Sequence, residues 1–148
     1  MADYDLIVWS DKLVTGISKI DEQHQILVNL FNEANTKLTI NNAEFMEQIT
    51  RDMLSYALYH FETEEALMQK YNYIEDKTKD ADIHIRQHRG FSAKVVAVRN
   101  DIKAGMVVSR EGLLSFLNSW LIDHILNTDK QLVAFLLASK QYRVDNQI

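Results

Sequence analysis

The chain has 148 residues, a size suited to one domain with a substantial core, and its net charge of −5, without any basic stripe, argues against a nucleic-acid partner. The absence of cysteine excludes disulfides, thiolate metal sites and cysteine nucleophiles. There is no proline and there are only four glycines, so turns are scarce and a few long helices are favoured.

No apolar run approaches the roughly 20 residues that span a bilayer. The opening MADYDLIVWSDK lacks the basic-then-apolar pattern of a secretory signal. A cytoplasmic protein with no stable membrane insertion is expected.

Residues 1–19 read as an N-terminal arm, with Trp9, Leu13 and Ile17 available to lie against the body and Gly16 turning the chain. Ile20, His24, Leu27, Phe31, Ala34 and Leu38 follow the spacing of one buried helical face, and Asp21 is an acceptable N-cap for that helix. Asn41-Asn42 interrupts it and can cap a second helix, whose inner face is Ile49, Met53, Tyr56, His60, Glu64, Leu67 and Tyr71. The polar stretch 72–82 reads as a connection. A third helix carries His84, His88, Phe91, Val95, Val98 and Ile102 and ends near Gly105; Gly90 inside it suggests a close approach of another backbone. Ser109 caps a fourth helix, with Glu111 in its first turn and Leu113, Leu117, Trp120, Leu121 and His124 facing inward. Apolar periodicity resumes through Leu132, Phe135 and Leu136, and residues 140–148 read as a frayed tail. Four helices with short connections predict an all-α fold, an antiparallel up-down-up-down four-helix bundle, with residues 1–148 as a single domain.

Each predicted helix places a polar group on its buried face. The first has His24, the second His60 and Glu64, the third His84 and His88, and the fourth His124, with Asp129 after it. This uses all five histidines of the chain. Burying so many polar groups without a shared partner is costly, which points to a metal site or a large hydrogen-bond network. The ligands are too many for a structural zinc, and imidazole with carboxylate disfavours calcium and magnesium. Two octahedral ions need about twelve coordination positions. Five imidazoles and two bridging carboxylates leave three, a bridging solvent oxygen takes two, and one stays open. If His84, His88 and His124 share one ion, the open position falls to the ion bound by His24 and His60.

One spacing resists a regular helix. His60 and Glu64, like His84 and His88, are four apart and share a face. His124 and Asp129 are five apart, which turns them about 140° from each other on an ideal helix. A π-bulge near Ile125–Asp129 would realign them.

These features resemble the hemerythrin family, in particular its bacterial branch. The resemblance covers about residues 9–136 and rests on Trp9 before Gly16, on Asp21-Glu22-Gln23-His24, on His60-x3-Glu64-Glu65, on His84-x3-His88, and on Trp120-Leu121-x2-His124-Ile125-x3-Asp129. It implies two iron ions per chain and no haem. His84, His88 and His124 would hold the six-coordinate iron and His24 and His60 the five-coordinate one. Glu64 and Asp129 would bridge them beside an oxo or hydroxo group. The implied function is reversible binding of dioxygen for storage, delivery or scavenging, not enzymatic turnover. Leu27, Phe61, Trp120, Leu121 and Ile125 would line the dioxygen pocket. The same irons also suit an oxygen or redox sensor module, or an enzyme acting on peroxide, oxygen or nitric oxide. Against a sensor, 148 residues leave no room for an output domain. Against an enzyme, no substrate cleft or proton relay is legible.

Overall fold

The computed structural model describes residues 7–38 and 43–148, so the expected cap at Asn41-Asn42 lies outside the described residues. A 3-10 turn, Asp11–Leu13, precedes α1 (Ser18–Lys37). Then come α2 (Ala43–Lys70), the short α3 (Tyr73–Asp76) and α4 (Thr78–Lys103). The last long helix is α5 (Arg110–Asp123), a π turn (His124–Asp129) and α6 (Lys130–Ala138) in unbroken succession, followed by α7 (Lys140–Asp145). α1 packs on α2 and α5, and α2 packs on α4, which gives the expected antiparallel four-helix bundle. No helix among the described residues is long and apolar enough to cross a membrane.

Several boundaries differ from the expectation. α1 begins at Ser18, not at a cap on Asp21. The Asp21 carboxylate instead reaches back and accepts from the Thr15 N–H at 2.8 Å, the Thr15 hydroxyl at 2.7 Å and the Gly16 N–H at 3.2 Å. It thereby holds the arm where Gly16 adopts φ +104°. The arm thus ends at Ile17, and Leu13 and Ile17 are buried as expected, with Trp9 partly buried against the core.

The inner stripe of α2 runs Met46, Thr50, Met53, Ala57, His60, Glu64, Met68. Ile49, Tyr56 and Leu67 lie partly buried at its edges, and Tyr71 falls beyond the helix end. The stretch expected to be a connection is largely helical. Its residues 75–80 are polar because they face solvent, while Tyr73 and Ala81 are buried. α4 gives way at Lys103 to Gly105 with φ +78°. Gly90 meets no neighbour: a Cβ built there would have nothing within 4 Å, so no close backbone explains it.

Ser109 caps α5 as expected, its hydroxyl accepting from the Gly112 N–H at 3.1 Å. The next residue, Arg110, is buried and donates to the carbonyls of Leu38 and of Asn35, tying the start of α5 to the end of α1. The tail is not frayed. Ser139 caps α7, Tyr142 is buried edge-on to Tyr71, and the Tyr71 hydroxyl donates to Asp145 at 2.9 Å.

Two apolar clusters fill the bundle. One holds Leu27, Phe31, Met53, Ala57, Phe61, Phe91, Leu117, Leu121 and Ile125 among others. The second holds Ile17, Ile20, Met68, Tyr73, Ala81, Leu132, Leu136 and Tyr142 among others. Along every long helix, the predicted ligands stand where the chain passes from one cluster to the other. His24 lies between Ile20 and Leu27, and His60 and Glu64 between Ala57 and Met68. His84 and His88 lie between Ala81 and Phe91, and His124 and Asp129 between Leu121 and Leu132.

Candidate metal centre

All seven predicted ligands are buried, none more than 2% exposed. α1 contributes His24, α2 His60 and Glu64, and α4 His84 and His88. The π turn contributes both His124 and Asp129, at its two ends, as the five-residue spacing predicted. The seven residues form two overlapping groups. Glu64, His84, His88, His124 and Asp129 make one, and His24, His60, Glu64 and Asp129 make the other, with the ligand atoms of each group within 4.8 Å of one another. The carboxylates belong to both.

The imidazoles turn Nε2 inward. His84 Nε2 lies 3.0 Å and His124 Nε2 2.9 Å from Asp129 Oδ1, while His24 Nε2 lies 2.5 Å and His60 Nε2 3.5 Å from Oδ2. Asp129 therefore divides its two oxygens between the groups. Glu64 Oε1 faces His60 at 3.0 Å, His88 at 3.2 Å and His84 at 3.5 Å. Two ligand atoms at right angles on one ion, each about 2.1 Å from it, stand about 3.0 Å apart. The separations cluster around that value.

Protons alone do not satisfy this arrangement. His88 Nε2 and His124 Nε2 face each other at 3.1 Å, which a single shared proton or a shared cation permits. His60 Nε2, His84 Nε2, Glu64 Oε2 and Asp129 Oδ1 are buried without a hydrogen-bond partner. Buried atoms of this kind call for a partner, and an ion coordinated by nitrogen and oxygen is one that fits every donor type present.

The electrostatics agree. Burial opposes a charge on His60, but Glu64 and Asp129 outweigh it and raise its pKa to about 10. The same competition takes His84 to about 9 and raises His124. Burial wins at His88 and lowers it. Burial and the Asp129 charge work against an ionised Glu64, yet His60 and His124 hold it well below the usual carboxylate range. Asp129, equally buried, is held down in the same way by His124, His24 and His60. Two carboxylates are thus kept anionic in an apolar interior, where a cation is strongly attracted.

Each of three imidazoles meets an acceptor at its outward nitrogen. His60 Nδ1 donates to Gln23 Oε1 at 2.7 Å, His88 Nδ1 to Glu65 Oε2 at 2.9 Å and His124 Nδ1 to Gln87 Oε1 at 2.9 Å. Such partners fix the tautomer that leaves Nε2 free for a metal. Sequence reasoning missed all three, although a glutamine directly before His24 and another directly before His88 is a repeated pattern that could have drawn attention.

The five residues expected around a ligand pocket gather in one apolar cluster, with Leu27, Phe61, Leu121 and Ile125 buried and Trp120 partly buried. Two of the rings stack on ligand histidines. Phe61 stacks on His88 at 3.9 Å between centroids and stands 6.1 Å from His60, and Trp120 stacks on His124 at 4.4 Å. Both aromatic faces thus lie against the three-histidine group. A groove of about 580 Å³ between α2 and α4, lined in part by Glu62, Glu65 and Arg89, opens onto the outer side of Phe61 and His88.

Comparison with known proteins agrees with this geometry. The profile of the Hemerythrin HHE cation binding domain matches residues 15–136. A bacteriohemerythrin of Pseudomonas aeruginosa is 32% identical over 123 residues, covering 83% of this chain and 76% of the relative. One of Stenotrophomonas maltophilia is 30% identical over 125 residues, covering 84% and 78%. One of Clostridium acetobutylicum is 25% identical over 133 residues, covering 86% and 99%. The crystal structure of a wild-type hemerythrin superposes with a TM-score of 0.75 at 23% identity, covering 86% of this chain and 95% of that one, and so shares the fold. With a family profile spanning most of its length and relatives of this closeness, the chain belongs to the hemerythrin family.

Proposed function

We propose that the chain is a non-haem di-iron protein that binds dioxygen reversibly, for storage, delivery or scavenging. The observation that carries this reading is the convergence of five buried imidazoles and two buried carboxylates into two groups that share Glu64 and Asp129. His84, His88 and His124 would hold one iron and His24 and His60 the second, with Glu64 and Asp129 shared between them. Two ferrous ions held here would supply the electrons that bound dioxygen draws on.

The protein's own residues set the conditions for reversibility. The imidazole-rich donor set adds only two carboxylate charges, fewer than the four glutamates of the carboxylate-rich di-iron bundles. That lower charge favours holding dioxygen over oxidising a substrate. Leu27, Phe61, Trp120, Leu121 and Ile125 keep bulk water from the ligand pocket, which slows proton delivery and irreversible oxidation. Gln23, Glu65 and Gln87 hold the proton of their histidines on Nδ1, so that Nε2 faces inward.

The test is an optical titration of the anaerobically reduced, iron-loaded protein with dioxygen, with iron quantified. The expected result is two irons per chain and an absorption that grows with dioxygen and disappears when the gas is removed. Irreversible oxidation, or oxygen consumption without release, overturns the carrier reading.

A further inference from the structure

Gln23 and Gln87 occupy matching places in the two halves of the bundle. Gln23 directly precedes His24 on α1, and Gln87 directly precedes His88 on α4. Each amide oxygen accepts from Nδ1 of a histidine on another helix, His60 in the first case and His124 in the second. Each amide also binds a threonine. Gln23 Nε2 donates to Thr63 Oγ1 at 3.1 Å, and Gln87 Oε1 accepts from Thr128 Oγ1 at 2.7 Å. Thr63 directly precedes Glu64, and Thr128 directly precedes Asp129.

The two halves therefore repeat one device: a Gln-His pair on one helix, and a histidine followed by a Thr-acid pair on the next. They differ by one residue. His60 and Thr63 are three apart in regular helix, whereas His124 and Thr128 are four apart within the π turn. A hydrogen bond from Nδ1 fixes both the tautomer and the plane of the ring. A second bond, to the residue beside the carboxylate, fixes how the neighbouring helix is rotated about its axis. One amide thus sets two ligands at once. His88 departs from this pattern, since its acceptor is the carboxylate of Glu65, itself on the wall of the groove between α2 and α4.

We propose that Gln23 and Gln87 are paired positioning residues. Each latches the histidine and the carboxylate-bearing turn of another helix, and because the carboxylates are shared, each acts most on the ion whose histidine it holds. Gln23 acts on the two-histidine group through His60, and Gln87 on the three-histidine group through His124. This rests on the metal-binding reading above.

Cobalt(II) titrated into the metal-free full chain, followed by calorimetry and visible absorption, tests it. The parent takes up two ions. Gln87→Leu, which keeps the bulk and removes the acceptor, weakens one of them by about tenfold or more, and Gln23→Leu weakens the other by a similar factor. Gln87→Glu, which still accepts from both His124 and Thr128, binds at least as tightly as the parent. Thr128→Val reproduces part of the Gln87→Leu loss and adds little to it in the double variant, while Thr128→Ser restores binding. Circular dichroism accompanies each titration. If Gln87→Leu loses helix, Thr128→Val against Thr128→Ser carries the same comparison. Leucine variants that bind both ions as tightly as the parent overturn the latches, as do leucine variants that weaken the same ion, or a glutamate variant as weak as the leucine one. A parent that takes up no cobalt overturns the metal-binding reading and the latches with it.

Discussion

In α2, His60 and Glu64 stand four residues apart in regular helix, and His60 Nε2 lies 3.0 Å from Glu64 Oε1. Across the bundle, His124 and Asp129 stand five residues apart in a π turn, and His124 Nε2 lies 2.9 Å from Asp129 Oδ1. Two unlike backbones deliver nearly the same separation. Aspartate is one methylene shorter than glutamate, so a regular helix would leave its carboxylate about 1.5 Å further from the centre. Within the π turn the shorter aspartate nonetheless reaches the same separation. Chain geometry on one side does what side-chain length does on the other.

Deleting Asn127 breaks this equivalence and is expected to have the largest effect. Asn127 is exposed, and its amide reaches only as far as Asp123 on the surface, at 2.8 Å. Its removal returns the segment to regular helix and keeps Leu121 and Leu132 in register with the core. Asp129 then falls short, and the desalted protein should retain at most one metal ion per chain. Adding Asp129→Glu to the deletion rebuilds the α2 arrangement and should restore the second ion. Retention of both ions by the deletion alone would show that reach is not what the π turn provides.

The π turn was legible because two ligands on a buried face constrain the backbone between them more tightly than helical propensity does. Burial of all five histidines was legible for the same reason: periodicity assigns a face, and the face assigns a neighbour. What periodicity does not carry is which side chains meet across helices. Gln23 and Gln87 lie on inner edges of their helices, but nothing in their own spacing names His60 or His124 as the partner. Nor does it reveal that Phe61, next in sequence to His60, stacks on His88 instead. The ends were misread where polar composition marked solvent exposure and not loss of helix, as in residues 75–80 and in α7, which is anchored by the single buried Tyr142. At Asp21, a residue type that suits an N-cap is used to bind the preceding arm.

The clusters on either side of the metal layer invite the next comparison. Leu121, one turn before His124, is buried in the cluster that holds Phe61 and Trp120; Met68, one turn after Glu64, is buried in the other. Truncating either to alanine removes similar apolar bulk and should cost about 2–5 kcal/mol. In a chain of this length that lowers the melting temperature by about 10 °C. Only Leu121→Ala is expected to speed autoxidation, by several-fold, because only that cavity adjoins the proposed ligand pocket. The decay of the oxygen-dependent absorption, measured beside thermal melts, separates the two effects. Equal autoxidation in the two variants would mean that general loosening, and not water entry at the pocket, limits the lifetime of the bound state.

A smaller effect separates the metal-free from the metal-loaded protein. His60 and His84 have pKa values raised to about 10 and about 9, above the ordinary histidine value of 6.5. Their contribution to stability without metal is therefore full below pH 6.5 and is lost as pH rises through about 9 and then about 10. Glu64 and Asp129, held well below their ordinary values, contribute above the usual carboxylate range and lose that contribution as pH falls. The chelated protein should be most stable between these limits, with a melting temperature several degrees lower at pH 10 than at pH 6. The loaded protein should change little over the same interval, because the metal's rising affinity offsets that loss. A metal must displace the protons from His60 and His84, so its affinity, and the stability it confers, rises with pH until those protons are gone. Melting curves of the two forms from pH 6 to pH 10 should therefore diverge. Parallel curves would mean that protons and metal do not compete for the same imidazoles, and would separate the buried charges from the ion that Glu64 and Asp129 are proposed to bridge.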